Sequence, residues 1–442
     1  MSGASSGPLR LTSAAPDFSA RFDAYVKAPR GEDVDVGAAV APVIADVRAR
    51  GLDAVLEQTQ RWDKWAPTAQ SLRVTKEELQ AALQACPPDQ IAALRLAAER
   101  IADYHKRQMP QDHSFDDPAG LKLGWRWTPV DSAGLYAPGG LAAYPSSILM
   151  NAVPARVAGV ARLTLVSPTP QGKDRPIVLA AAAIAGVDEV WRIGGAQAIA
   201  ALAYGAGPIQ AVDKIVGPGN AYVAEAKRRV YGVVGIDALA GPSEILVIAD
   251  SKNDPKIIAW DLLSQAEHDE AAQSVLITDD AAFADRVAAA VDICLQELET
   301  GERAGISWRN CGAIIVVKDL LAEAPALSDR FAPEHAEIAC DPALADQIAA
   351  KLRHVGAIFI GRDAPEALGD YVTGSNHVLP TSRTARFASG LSVYDFLKRT
   401  AIQSITPQGL KAIGPAAALL ARAEGLPAHA LSVEARLRRE DS

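Results

Sequence analysis

The sequence predicts an α/β protein built on two parallel α/β regions, and three observations carry that prediction. Apolar runs at residues 162–167, 189–193 and 214–216 alternate with Ala-rich amphipathic segments, the pattern of a parallel sheet with crossover helices. A second series, at 245–249, 274–278, 313–317 and 357–360, repeats the alternation. At 442 residues the chain exceeds the size at which one core keeps growing, so two large domains with smaller appendages are expected.

Residues 1–32 open Ser/Gly/Ala-rich and continue as Phe18-Ser-Ala-Arg-Phe-Asp-Ala-Tyr25, whose aromatic spacing suits a short amphipathic helix: an N-terminal helical arm too small to bury a core. From Val34 the pattern is helical, with Val36, Val40, Val43, Ile44 and Val47 recurring at three to four residues. Thr75-Lys-Glu-Glu78 reads as a capping box for the next helix, which Pro87-Pro88 stops, and a longer helix runs on to about Gln108. Residues 121–129 alternate apolar and polar, with Trp125 and Trp127 in phase, and read as a strand. Residues 33–135 hold too few strands to stand alone, so they are joined with 245–391 into one α/β domain. Composition shifts to Ala, Gly and Val near Gly134, and 136–244 reads as an inserted α/β domain. Residues 392–442 read as a helical tail, broken at Gly425 and Pro427 and too short to bury its own apolar face. Docking on a partner subunit would cover that face.

Composition narrows the function. Hydrophobic content of 49% with 22% charged residues is that of a folded globular chain. A formal charge of −9 without a basic run disfavours nucleic acid or an anionic membrane as partner and leaves a small-molecule substrate. The longest apolar run, 177–187, is too short to span a bilayer, and residues 1–30 carry no signal-peptide pattern, so a cytoplasmic protein is expected. Cys86, Cys294, Cys311 and Cys340 form no C-x-x-C pair, which disfavours disulfides and thiolate zinc and leaves nitrogen and oxygen as metal donors.

Three glycine loops mark candidate ligand positions. Gly134-Leu-Tyr-Ala-Pro-Gly-Gly140 is one, and the runs ending at Ile193 and Val216 lead into Gly194-Gly-Ala-Gln197 and Gly217-Pro-Gly-Asn220. Glycine where a strand turns into a helix is where open α/β sheets bind ligands and helix N-termini favour phosphate, although turn chemistry alone also places it there. Neither of the last two loops matches the G-x-G-x-x-G dinucleotide fingerprint.

Ser264-Gln-Ala-Glu-His-Asp269 ends the helically spaced apolar run 257–263, so Gln265 and His268 share a helix face. A carboxamide and an imidazole there can supply half of a divalent-metal shell, although an isolated Gln-x-x-His is more often a polar helix end. Of seven histidines, His268, His335, His377 and His429 lie in polar, turn-rich contexts. Asp370 and His377 flank the turn at Gly374, which brings a carboxylate and an imidazole within reach of one site. This donor set suits zinc, or a neighbour such as manganese or cobalt. Pro333 reads as the first turn of a helix, placing Glu334 and His335 at an exposed terminus where a base and a water-orienting carboxylate can work side by side.

Taken together these segments resemble the histidinol dehydrogenase family from about residue 30 to 435. The likeness is carried by Tyr136-Ala-Pro-Gly-Gly-Leu, Gly194-Gly-Ala-Gln197-Ala-Ile-Ala, Val216-Gly-Pro-Gly-Asn220-Ala-Tyr, Ala240-Gly-Pro-Ser243-Glu and Leu263-Ser-Gln265-Ala-Glu-His268. It continues through Pro333-Glu334-His335, Gly369-Asp370-Tyr371, Asn376-His377-Val-Leu-Pro and Ala423-Glu424-Gly-Leu-Pro-Ala-His429. The resemblance implies one zinc ion per subunit, held by Gln265, His268, Asp370 and His429, with Glu334 and His335 as the acid/base pair. It implies NAD at Tyr136, Gln197 and Asn220, and L-histidinol against Ser243, His377 and Glu424 as well as the metal ligands and His335. The fold it implies is two incomplete Rossmann-like parallel α/β domains with a helical N-terminal arm and a small helical C-terminal domain, in a domain-swapped homodimer with shared active sites. The implied reaction is the last step of histidine biosynthesis, two oxidations from L-histidinol through L-histidinal to L-histidine. Each oxidation needs a base for the hydroxyl proton as hydride leaves, which His335 supplies, and Glu334 serves hydration of the aldehyde between them. The closest rival is a related zinc/NAD dehydrogenase acting on another small polyol or sulfonate; Glu424 and His377 discriminate, since they should read the amine and imidazole.

Overall fold

The computed structural model describes residues 7–30, 36–139 and 144–438. Two six-stranded sheets carry it. In the first, strands lie side by side in the order Arg73–Val74, Glu189–Trp191, Arg162–Val166, Ser132–Tyr136, Lys214–Val216 and Gly235–Ile236; all are parallel except the edge strand Arg73–Val74. In the second the order is Leu9–Thr12, Ala313–Val316, Gln273–Thr278, Glu244–Ala249, His335–Ala339 and Ala357–Ile360, parallel throughout. Both sheets repeat one topology. The chain starts at a central strand, Ser132–Tyr136 or Glu244–Ala249, adds two strands on one side, then returns to add two on the other. Each sheet therefore has one point where the winding reverses, beside its central strand.

The second sheet's inner strands are buried on both faces, as the apolar run Ile245-Leu-Val-Ile-Ala249 shows, because helices cover the sheet on either side. Their crossover helices begin at aspartates: Asp254, Asp280 and Asp319 accept backbone N–H groups at the starts of Pro255–Ala266, Ala281–Glu297 and Leu320–Phe331. The Thr75–Glu78 capping box is formed reciprocally at the head of helix Lys76–Ala85.

Several expectations are corrected. Gly134 belongs to the central strand of the first sheet rather than to a loop, and a Cβ there would lie 2.8 Å from Leu202 Cδ1, so glycine lets the helix Gly195–Tyr204 pack close. Residues 37–107, grouped by sequence with 245–391, pack instead on the first sheet and its helices: Val40, Ile44, Val47 and Val55 join the cluster around Trp191 and Ile199, and Leu94 and Ile101 the one around Leu135 and Ile148. That sheet's own Ala-rich helices are buried nearly all round and need this second layer. The N-terminal arm holds the expected helix, Phe18–Lys27, but also the edge strand Leu9–Thr12. The tail is not wholly helical: Leu397–Ile405 pairs over its full length with Leu121–Pro129, which pairs in turn with His113–Asp117 in an antiparallel sheet. Beyond it, helices Pro407–Ala423 and Pro427–Leu437 pack on each other and leave Leu419, Leu420, Leu426 and Leu431 exposed. Among the described residues no helix is long and apolar enough to cross a membrane.

Candidate active site

The catalytic candidates sit at the amino end of the strand His335–Ala339, beside that of the second sheet's central strand Glu244–Ala249. Helix Leu320–Phe331 ends at Ala332 in a left-handed conformation, and the chain turns directly into His335–Ala339. Glu334 and His335 are therefore buried at a strand start, which corrects the expected exposed helix terminus. Glu244 on the neighbouring central strand holds both. Its backbone N–H donates to Glu334 Oε2 at 3.0 Å, and its carbonyl oxygen lies 3.1 Å from His335 Nδ1. With Nδ1–H donated to that carbonyl, Nε2 carries the ring's lone pair. Ser243, the residue before Glu244, closes a loop fixed by the bond from Gly241 N–H to Thr381 Oγ1, 2.6 Å. The Glu244 side chain is itself buried, paired with Arg30 and accepting the Ser382 N–H at 3.0 Å.

Electrostatics follow from this burial. Desolvation drops the His335 imidazole to about 4, against the opposing pull of Asp370, so the ring is neutral at physiological pH. Desolvation pushes the Glu334 carboxyl well above the usual range, with Glu244, Asp370 and Glu366 adding to it.

Carboxylates and imidazoles converge next to the pair. On the short helix Glu366–Tyr371, residues 366 and 370 are one turn apart; Glu366 Oε1 lies 3.5 Å from His335 Nε2, and Asp370 Oδ1 lies 3.7 Å from His377 Nδ1. One donor atom each from His335, Glu366 and Asp370 falls within 4.8 Å of the others. Gln265, in the last turn of Pro255–Ala266, is buried, and Ser264 before it reaches Glu366 with Oγ at 3.5 Å. His268 lies just past that helix, exposed. Gln265 Oε1 is buried without a hydrogen-bond partner, the state of a donor that fits a cation, and His335 Nε2 and Glu366 Oε1 beside it are also unpartnered. Glu424 and His429 are not brought here; both are exposed on the tail's helices.

Tyr136, Gln197 and Asn220 gather at the carboxyl ends of the first sheet. Tyr136 ends the central strand, and its hydroxyl accepts the Gly195 N–H at 3.1 Å, at the head of the helix carrying Gln197. Burial pushes the Tyr136 phenol up to about 12. Asn220 caps helix Ala221–Val230, its Oδ1 accepting the Val223 N–H at 3.2 Å. Gly140 and Leu141, which complete the first glycine loop, lie outside the described residues. The carboxyl ends of the second sheet carry an ion-pair network instead. Arg362 binds both carboxylate oxygens of Asp250 at 2.8 Å, Asp341 at 2.8 Å and the Ala339 carbonyl at 3.1 Å, while Lys252 pairs with Asp341.

Sequence reasoning missed Glu244 and Glu366. The signal for Glu366 was its place four residues before Asp370, which puts both on one helix face; Glu244 carried none beyond its place beside Ser243.

A family model described as histidinol dehydrogenase matches residues 26–437. Histidinol dehydrogenase of Ruegeria pomeroyi is 62% identical over 433 residues, covering 98% of this chain and 99% of that protein. That of Rhodospirillum rubrum is 60% identical with the same coverage. The crystal structure of histidinol dehydrogenase from Elizabethkingia anophelis superposes with a TM-score of 0.93 at 32% identity, covering 98% of this chain and 99% of that one.

Proposed function

The chain belongs to the histidinol dehydrogenase family, and from that premise we propose how its residues divide the work of an NAD-dependent oxidation of L-histidinol through L-histidinal to L-histidine. His335 is the base in both oxidations. Its Nε2 takes the hydroxyl proton as hydride passes to NAD, first from the alcohol and then from the hydrated aldehyde. The observation that carries this reading is the contact between His335 Nδ1 and the Glu244 carbonyl, which fixes the tautomer that leaves Nε2 basic. Glu334, held beside it with a raised affinity for its proton, serves the hydration step: it can protonate the aldehyde oxygen and then take a proton from the attacking water.

The donor chemistry fits a divalent cation, and Gln265, His268 and Asp370 with His429 from a second copy would hold zinc. When bound, zinc supplies a template for the substrate's imidazole and amine nitrogens. Tyr136, Gln197 and Asn220 bind NAD at the reversal point of the first sheet. Ser243, His377 and Glu424 contact histidinol.

The active unit is a homodimer whose tails cross. Glu424 and His429 stand exposed on a helical hairpin whose leucines are uncovered, so a second copy gains both the apolar cover and the missing ligand. With NAD as oxidant, we place the reaction in the cytoplasm. The test is stoichiometry: two NADH per histidinol, abolished by a chelator and restored by zinc. One NADH per histidinol at completion would overturn the two-step reading.

A further inference from the structure

The Gly217-Pro-Gly-Asn220 turn is gripped from behind by a buried ion pair. Lys227, on the helix that Asn220 caps, donates from Nζ to the Gly217 carbonyl oxygen at 3.0 Å and pairs with Asp237 Oδ1. Asp237 Oδ2 accepts the Gly217 N–H at 2.8 Å. Both polar ends of one residue are thus tied to a single ion pair whose side chains are 3% and 5% exposed. On its other side Gly217 abuts Tyr136: its φ is 111°, and a Cβ there would run into the Tyr136 carbonyl oxygen. The turn is wedged between the end of the central strand and the ion pair.

A buried ion pair is a poor way to hold a helix, because desolvating two charges offsets most of their attraction, and packed apolar side chains would serve as well. Apolar side chains cannot, however, present a donor and an acceptor to the two ends of the same residue. We propose that Lys227 and Asp237 are positioning residues for the dinucleotide, setting the place of the Gly217–Asn220 turn and so the affinity for NAD, without touching cofactor or substrate. The proposal rests on the assignment of Asn220 to the NAD site.

The test compares the full-length enzyme with Asp237→Asn, the double variant Lys227→Met/Asp237→Asn and Asn220→Ala. Steady-state kinetics are measured alongside direct NADH binding by fluorescence and thermal melts. Asp237→Asn should raise KM for NAD and Kd for NADH about tenfold, the loss of a charge-assisted anchor, with kcat at saturating NAD and KM for histidinol unchanged. The double variant leaves no lone buried charge, so it should stay folded and show the same selective loss. A folded double variant that binds NADH as wild type does overturns the proposal, as does a lowered melting temperature with unchanged KM for NAD. Should Asn220→Ala leave NAD binding intact, it is the assignment of the turn to the cofactor site that fails. Should Asn220→Ala weaken NAD while the other two variants do not, the ion pair alone loses its role.

Discussion

His335 Nδ1 lies 3.1 Å from the backbone carbonyl oxygen of Glu244, and because that partner is main chain, no side-chain substitution at position 244 deletes it. The imidazole's tautomer is written into the pairing of the central strand with its neighbour, where His335 sits opposite Ile245. His335→Asn should lower kcat for both histidinol and histidinal by roughly 10²–10⁴-fold, the usual worth of a general base, with KM for histidinol largely kept. A near wild-type rate on histidinol would refute the assignment.

The same burial predicts a pH signature in the metal-free protein. His335 falls to about 4 from an ordinary 6.5, so the unfolded chain binds the extra proton first as pH drops. Stability from the neutral ring is fully present above 6.5 and is lost as pH falls through that window toward 4, a contribution of about 3 kcal/mol at most. Buried carboxyls such as Glu334, raised in the fold, act oppositely, losing stability as pH rises. The difference between wild type and His335→Asn in denaturant melts from pH 4 to 7 isolates the histidine. A difference that stays flat across that range would count against a buried neutral ring.

Glu334→Gln should separate the two half-reactions. The amide cannot shuttle a proton, so oxidation of histidinal, which needs the hydrate, should fall by about 10²-fold or more, while the first oxidation of histidinol in single-turnover experiments falls less. Equal losses on the two substrates would remove Glu334 from the hydration step.

Asp370→Ala and His268→Ala should purify folded but without zinc, because a substrate-binding metal shell is not a folding staple. Elemental analysis and circular dichroism on the same samples decide it. Full zinc content in both variants would exclude them as ligands.

Crossed tails predict complementation. His335→Ala and His429→Ala chains, each inactive alone, are unfolded and refolded together; random assortment makes about half the dimers mixed, and each mixed dimer has one intact site, giving about a quarter of wild-type activity. A mixture that stays inactive despite confirmed subunit exchange would show that each tail serves its own body.

Much of the fold was legible because fully buried parallel strands leave apolar runs, as at Ile245–Ala249 and at Val275-Leu-Ile277. Two of the strands that escaped adjoin the candidate sites. Ser132-Ala-Gly-Leu-Tyr136 and His335-Ala-Glu-Ile-Ala339 are poor in β-branched residues, and pairing on both sides imposes their conformation. Pro333 looked like a helix start because proline suits a first turn; here it follows a helix end at Ala332 instead. Of the site, His335 and Asp370 were readable from motif, and the structure draws them together. His429 was assigned from motif too, and in the single chain it stands exposed.

Arg362 turns a repeated architecture into a division of labour. Two copies of one winding would ordinarily compete for the same kind of nucleotide, and a guanidinium locked to Asp250 and Asp341 takes the second copy out of that competition. On the proposed assignment its opposite rim, at Glu334 and His335, serves proton transfer with no conflicting demand to grip a phosphate. A dinucleotide mimic aimed at this chain should therefore saturate at one equivalent per subunit, and a search for inhibitors gains nothing from the second sheet's carboxyl rim.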